Sequence, residues 1–170
     1  MDSPFYLELL DSSVNSYELK KFRVQHDETQ LRTYLCKSAK KHQQENLNKT
    51  YLVRQKGTDY LVAWFSLKAA TLPYNDKDDI FLTPAIELTH FAVDERFKTV
   101  SEDDTSMKTG EFIFWNHILE KAKEASEKIA CKDLFVFSID TPKLVEYYKT
   151  RLCFIELKDV EDKNFFEYAV

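Results

Sequence analysis

The chain has 170 residues, the size of one ordinary domain, and that length can bury a full core without disulfide or metal staples. Its 44% hydrophobic and 14% aromatic content excludes a disordered chain. The formal net charge of -5 argues against a large nucleic-acid footprint, which needs a basic stripe, while leaving room for a local basic rim.

The opening residues, MDSPFYLELL, carry neither a cationic leader nor a long apolar run, so the sequence reads as a cytoplasmic protein with no membrane partner. Tyr17 to Val24 reads as a first strand. Asp27 suits an N-cap, and 28–41 is then a helix with Leu31, Tyr34, Leu35 and Ser38 on one face. Thr50 to Arg54 and Tyr60 to Leu67 flank a short turn containing Gly57, which predicts a hairpin. Tyr74 to Asp79 reads as a polar loop, after which Pro84 opens a strand over Ala85 to Val93. Asp94 to Thr109 is long, charged and without apolar period, so it is a loop of unusual length. A helix follows from Thr109-Gly110 to about Lys128, with Phe112, Trp115, Leu119 and Ala122 along one face. Leu134 to Ile139 is a buried strand. Thr141-Pro142 starts a helix carrying Leu144, Val145 and Tyr148. Phe154 to Leu157 and Phe165 to Val170 close the chain as two strands, with the turn at 162–164. With no repeat or linker, this order predicts one α/β domain spanning 1–170, a mixed sheet with helices on its faces.

Cys36, Cys131 and Cys153 are scattered and form no CxxC or His/Cys cluster, so neither a zinc site nor a disulfide framework is predicted. Each is read as a reduced, mostly buried apolar residue.

Glu87-Leu88-Thr89-His90-Phe91-Ala92-Val93, the loop and helix from Asp94 to the Phe112 turn, and the run Leu134–Ser138, Tyr147-Tyr148, Cys153-Phe154 occur in an order that resembles the GCN5-related N-acetyltransferase (GNAT) superfamily. The likeness is clearest from Tyr51 to Leu157. It implies a central, mostly antiparallel, twisted sheet with helices on both faces. It also implies acetyl-CoA as cosubstrate, no metal, and transfer of the acetyl group to a primary amine by direct attack. On that resemblance the backbone of Phe91, Ala92 and Val93 pairs with the pantetheine arm, and the Val93 N–H polarises the thioester carbonyl. The pyrophosphate rests on the helix start at Thr109, Gly110 and Glu111, with Lys98 and Lys108 adding charge. The sequence departs from the family at the phosphate loop, where Gly110 fits neither glycine register. Thr99 to Ser106 reads as an insertion that brings in Glu102, Asp103 and Asp104. Cys153 stands where the family commonly has glycine, a position that shapes a turn.

Glu87 matches the family's general base. A carboxylate on a central strand beside an apolar notch is expected to have a raised pKa suited to that work. The competing reading is a solvated or salt-bridged strand glutamate. Tyr148 matches the general acid, since a phenol is nearly balanced against a thiol in acidity; core packing is the alternative, and Tyr147 competes for the role. His90 reads as a packed strand histidine.

The leading expectation is therefore an acetyltransferase acting on a small-molecule or peptide amine, compatible with a homodimer. The second is a GNAT-fold module with little catalysis that binds acyl-CoA or a protein. A toxin-like enzyme acetylating charged tRNA ranks third, because the acidic composition argues against a nucleic-acid partner.

Overall fold

The structure, a computed structural model, describes residues 3–24, 30–76, 79–98, 107–138, 141–157 and 165–169; for 74–76, 79–81 and 165–169 the description is of the backbone. It comprises two compact units, Met1–Leu67 with His90–Asn116 and Lys68–Thr89 with His117–Val170. Seven strands follow the order β1-β2-β3-β4-β5-β7-β6, with the long third and fourth strands shared by both units.

In the first unit, β1 (Phe5–Leu9) runs antiparallel to β2 (Lys49–Gln55), from Phe5 opposite Gln55 to Leu9 opposite Tyr51. The predicted hairpin is present: β2 pairs antiparallel with β3 (Leu61–Asp76), with an irregularity at Val53/Arg54. Its turn uses Gly57 at φ +83° and Asp59 at φ 56°, left-handed conformations that only a turn of this kind requires.

The predicted first strand at Tyr17–Val24 is instead a helix, α1 (Ser16–Lys20), followed by irregular chain, and the true first strand lies at Phe5–Leu9. The reason is local. Asn15 caps the helix by accepting the Tyr17 N–H at 2.9 Å. Leu19 and Phe22, three apart, are buried together while Tyr17 is 66% exposed, a helical and not an alternating pattern. The predicted helix at 28–41 is two helices, α2 (Leu31–Lys37) and α3 (Ala39–Gln44), that break at Ser38; its proposed cap, Asp27, lies outside the described residues. Leu10, Leu19, Phe22, Leu35, Leu52 and Trp64 form the core of this unit, and each such fully buried side chain contributes about 1.5–3 kcal/mol.

Arg54, 6% exposed, ties three elements together. It is ion-paired to Glu8 of β1 and Glu18 of α1 and donates to the Asp59 carbonyl at 2.9 Å. The hydrogen bond to Glu18 is the main cause of its raised pKa.

In the second unit, β4 (Asp79–Val93) pairs parallel with β5 (Asp133–Phe137) over Ala85–Glu87 and Asp133–Phe135. β5 pairs antiparallel with β7 (Phe165–Ala169), which pairs antiparallel with β6 (Ile155–Leu157). Leu72, Ala85 and Phe135 form a small core. Two sequence expectations change here. Residues 74–76 and 79 belong to strands, so the expected polar loop shrinks to 77–78, outside the described residues, and Pro84 lies within β4 instead of opening it. Pro84 lacks an N–H, but its carbonyl accepts from the Lys132 amide at 2.9 Å, which sets the start of β5 beside β4.

The helix predicted from Thr109 is present as α4 (Thr109–Ile113), a π-helical turn (Phe114–Ile118) and α5 (Leu119–Ile129). Helix α6 (Pro142–Thr150) has Pro at its first turn as expected, although Thr141 makes no side-chain cap. The predicted turn at 162–164 is outside the described residues. No described helix is long and apolar enough to cross a membrane.

Candidate active site

Glu87 sits on β4 between buried Ile86 and Leu88, so strand alternation turns it to the opposite face. Its side chain is 13% exposed and forms an ion pair with Lys68 at 2.8 Å. That is the salt-bridged arrangement weighed for this residue, with a partner the sequence reading did not foresee. The signal was present. Lys68 lies eight residues before the end of β3 at Asp76 and Glu87 eight residues after the start of β4 at Asp79, matching places on neighbouring strands. Reading 74–79 as a loop hid it.

Leu88 and Thr89 of β4, and Val136 and Phe137 of β5, lie beyond the described ladder between these strands, which stops at Glu87 and Phe135. β5 meanwhile continues to pair with β7 through Val136 and Phe137.

Tyr148 projects from α6, half-buried, with its ring edge-on to Phe154 at 5.6 Å. Desolvation by burial raises its phenol to about 12, so it keeps its proton across the physiological range. Tyr147, its competitor, lies 6.2 Å away ring to ring. The main chain anchors this region: the Phe154 amide donates to the Tyr148 carbonyl at 3.0 Å, and Cys153 between them adopts φ 57°. A left-handed conformation is where glycine costs least and a Cβ costs about 1–2 kcal/mol, which explains the family's glycine there. Cys153 is exposed, contrary to the expected burial; Cys131 is buried and Cys36 half-buried.

The first unit holds the residues matched to cofactor binding. Ala92 is buried, and Phe91 and Val93 are half-buried, at the end of β4. The next residue, Asp94, is fully buried and organises the turn that follows. It caps a 3-10 helix (Glu95–Phe97) and accepts from the amides of Arg96 (3.0 Å) and Arg23 (2.9 Å) and from the Arg96 guanidinium at 2.8 Å. Burial pushes its carboxyl up, but these hydrogen bonds outweigh it and hold the pKa below the usual value. Its stabilising effect is therefore present above the ordinary carboxylate range near pH ~4 and is lost as pH falls through the lower folded-state value. Asp94 and its clasp on Arg96 were missed because the chain around them reads only as charged loop.

Lys108, Thr109, Gly110 and Glu111 are brought together at the start of α4, whose first i→i−4 bond runs from the Phe112 amide to the Lys108 carbonyl at 3.0 Å. Glu111 is buried and accepts the Lys108 amide at 3.3 Å, so its side chain caps the helix. The Thr109 hydroxyl donates to the Phe97 carbonyl at 2.7 Å. That bond joins the start of α4 to Phe97, the residue before exposed Lys98. Glu102, Asp103 and Asp104 lie outside the described residues. His90 is packed as expected: its ring stacks on Tyr34 at 3.7 Å and faces Trp64 at 5.7 Å. Among the described residues no group of His, Cys, Asp and Glu side chains is arranged to hold a metal ion.

This architecture is the GNAT fold, as the sequence motifs implied. Among solved structures it is similar to a tyrosine-to-phenylalanine mutant of the AtaT toxin bound to acetyl-CoA and the C-terminus of its antitoxin AtaR (TM-score 0.69, 17% identity, covering 98% of this chain and 94% of that one). It is similar as well to AtaT complexed with acetyl-methionyl-tRNAfMet (TM-score 0.74, 18% identity, 97% and 94%) and to a tyrosine-to-phenylalanine mutant of KacT (TM-score 0.73, 21% identity, 98% and 95%). No protein-family model matches the sequence. No curated protein matches it either.

Proposed function

We propose that this chain is an acetyl-CoA-dependent N-acetyltransferase whose acceptor is the primary amine of an aminoacyl-tRNA. The observation that carries this reading is the full-length likeness to AtaT in complex with an acetylated aminoacyl-tRNA, spanning 97% of this chain and 94% of that one. It replaces the expected small-molecule or peptide acceptor and reverses the ranking that the acidic composition suggested, because a net charge says nothing about where the basic groups lie.

The backbone at Phe91–Val93 pairs with the pantetheine arm, and the Val93 amide polarises the thioester carbonyl. The first-turn amides at Thr109–Glu111 hold the pyrophosphate, assisted by Lys98 and Lys108. In the second unit the ladder stops at Glu87 while β4 and β5 both run on, which supports a notch at that level. Glu87 takes a proton from the attacking ammonium, directly or through water, with Lys68 moving aside. The amine nitrogen bonds to the thioester carbon, the C–S bond breaks as Tyr148 donates its proton to the departing sulfur, and the second proton leaving the nitrogen returns through solvent to the Tyr148 phenolate. That AtaT and KacT were each solved as tyrosine-to-phenylalanine mutants supports a tyrosine in this role. An antitoxin-like protein partner and a cytoplasmic location follow from the same reading.

The test is incubation of the protein with labelled acetyl-CoA and a pool of charged tRNAs. Label is expected on the aminoacyl group, released with it by mild base. Label on free amines with none on charged tRNA would refute the acceptor. CoA binding without transfer to any amine would favour the non-catalytic module.

A further inference from the structure

The net negative charge hides a local positive groove in the first unit. A cavity of about 600 Å³ is lined by Lys20 and Lys21 at the end of α1, Arg23, Arg32 on α2, and Arg96 beside one carboxylate, Glu95. All five cations are exposed. Among the described residues, even with Asp94 counted beneath Arg96, cations outnumber carboxylates five to two.

The groove is built, not incidental. Arg32 donates to the Lys20 carbonyl at 2.8 Å, joining α2 to α1. Asp94 holds the Arg23 amide and the Arg96 side chain on one carboxylate, which fixes the opposite wall. The Arg23–Glu95 ion pair is loose, at 3.8 Å with side chains 62% and 39% exposed, so it leaves Arg23 able to meet another anion. Burial raises the Cys36 thiol, but Arg32, Lys20 and Lys37 all pull it the other way.

We infer that this groove seats the phosphodiester backbone of the tRNA acceptor. The inference rests on the aminoacyl-tRNA reading and adds to it the surface that holds the RNA. Exposed cations from three separate segments around one groove suit a polyanion, whereas a small anion needs buried, convergent donors. Its apolar lining residues are Phe22, 1% exposed, and half-buried Val24, so among the described residues the groove offers no exposed apolar side chain for insertion into a bilayer. Arg is the suited cation here, since its planar fork matches phosphate oxygens. Such contacts position the substrate without reading its sequence.

The experiment measures binding of uncharged tRNA to the full chain across salt concentrations, which needs no acetyl transfer. The variant K20A/K21A/R23A is expected to bind at least about tenfold more weakly at low salt, with a log–log salt slope shallower by about 2 to 3. Its unfolding shift with acetyl-CoA should match the wild type, which shows an intact fold. E95Q should bind a few-fold more tightly, a gain no misfolding produces. The inference is overturned if wild-type protein fails to bind tRNA at low salt, if neither variant changes affinity or slope, or if phosphatidylserine vesicles bind at the groove and tRNA does not. Acetyl transfer to a short aminoacyl ester tests the enzyme reading separately. Its failure alongside charge-dependent tRNA binding would remove the enzyme and leave the groove; its success alongside charge-independent binding would do the reverse.

Discussion

Tyr148→Phe is expected to lower kcat by about a hundredfold or more, the usual contribution of a positioned general acid, without loss of fold. The substitution removes one hydroxyl from a half-buried side chain and keeps the ring that packs edge-on against Phe154. The packing reading of this residue thus survives the change, and only the proton is lost. Because burial raises the phenol to about 12, the wild-type rate is also expected to hold through pH ~10, where an ordinary tyrosine would be half ionised. Steady-state kinetics over pH, with tyrosinate absorbance followed in parallel, checks both. A rate unchanged in Tyr148→Phe, with a loss in Tyr147→Phe instead, would move the role by one residue.

Glu87→Gln is the second large effect, also about a hundredfold or more in kcat/KM. Glutamine preserves shape and hydrogen-bonding capacity but accepts no proton. Lys68 then loses its carboxylate, yet it is 40% exposed and remains hydrated, so the stability cost stays within about 1 kcal/mol. The deficit should shrink as pH rises to where the acceptor amine loses its own proton, because the base is then unnecessary. If Glu87 serves only as the partner of Lys68, the rate will be unchanged at every pH and only the small stability loss will appear.

The parts of the fold with strong local periodicity were readable from the residues. The hairpin around Gly57, the helix from Thr109, the buried strand at Leu134 and the Thr141-Pro142 helix start all appear where pattern placed them. Misreadings fell where short segments carry both patterns. Tyr17, Leu19, Phe22 and Val24 mix strand-like residue types with a helical spacing, and the Asn15 cap decided for helix. At 74–79, polar residues suggested a loop, but a β3–β4 hairpin this long carries its strands into polar sequence. The family motif marked Glu87, Tyr148 and the Gly110 helix start. Lys68 was hidden by reading 74–79 as a loop, and periodicity could not mark Asp94 or the groove around Arg32, because each depends on segments far apart in sequence. Arg23 and Asp94 are separated by 71 residues and joined by one hydrogen bond. Cys153 shows the reverse case, a departure in residue type at a position whose backbone still keeps the left-handed turn.

Acetyl-CoA binding is the claim on which the enzyme reading stands, and thermal unfolding with and without the cosubstrate tests it most directly. Ligand at about a hundred times its dissociation constant adds roughly 2.7 kcal/mol, which for a domain of this size is a rise in Tm of about 5–10 °C. A shift of that order with acetyl-CoA, and a comparable one with CoA, is the predicted result and would show that the altered phosphate loop still holds the pyrophosphate. No shift at about millimolar acetyl-CoA would contradict the account and leave a GNAT fold that does not use this cosubstrate.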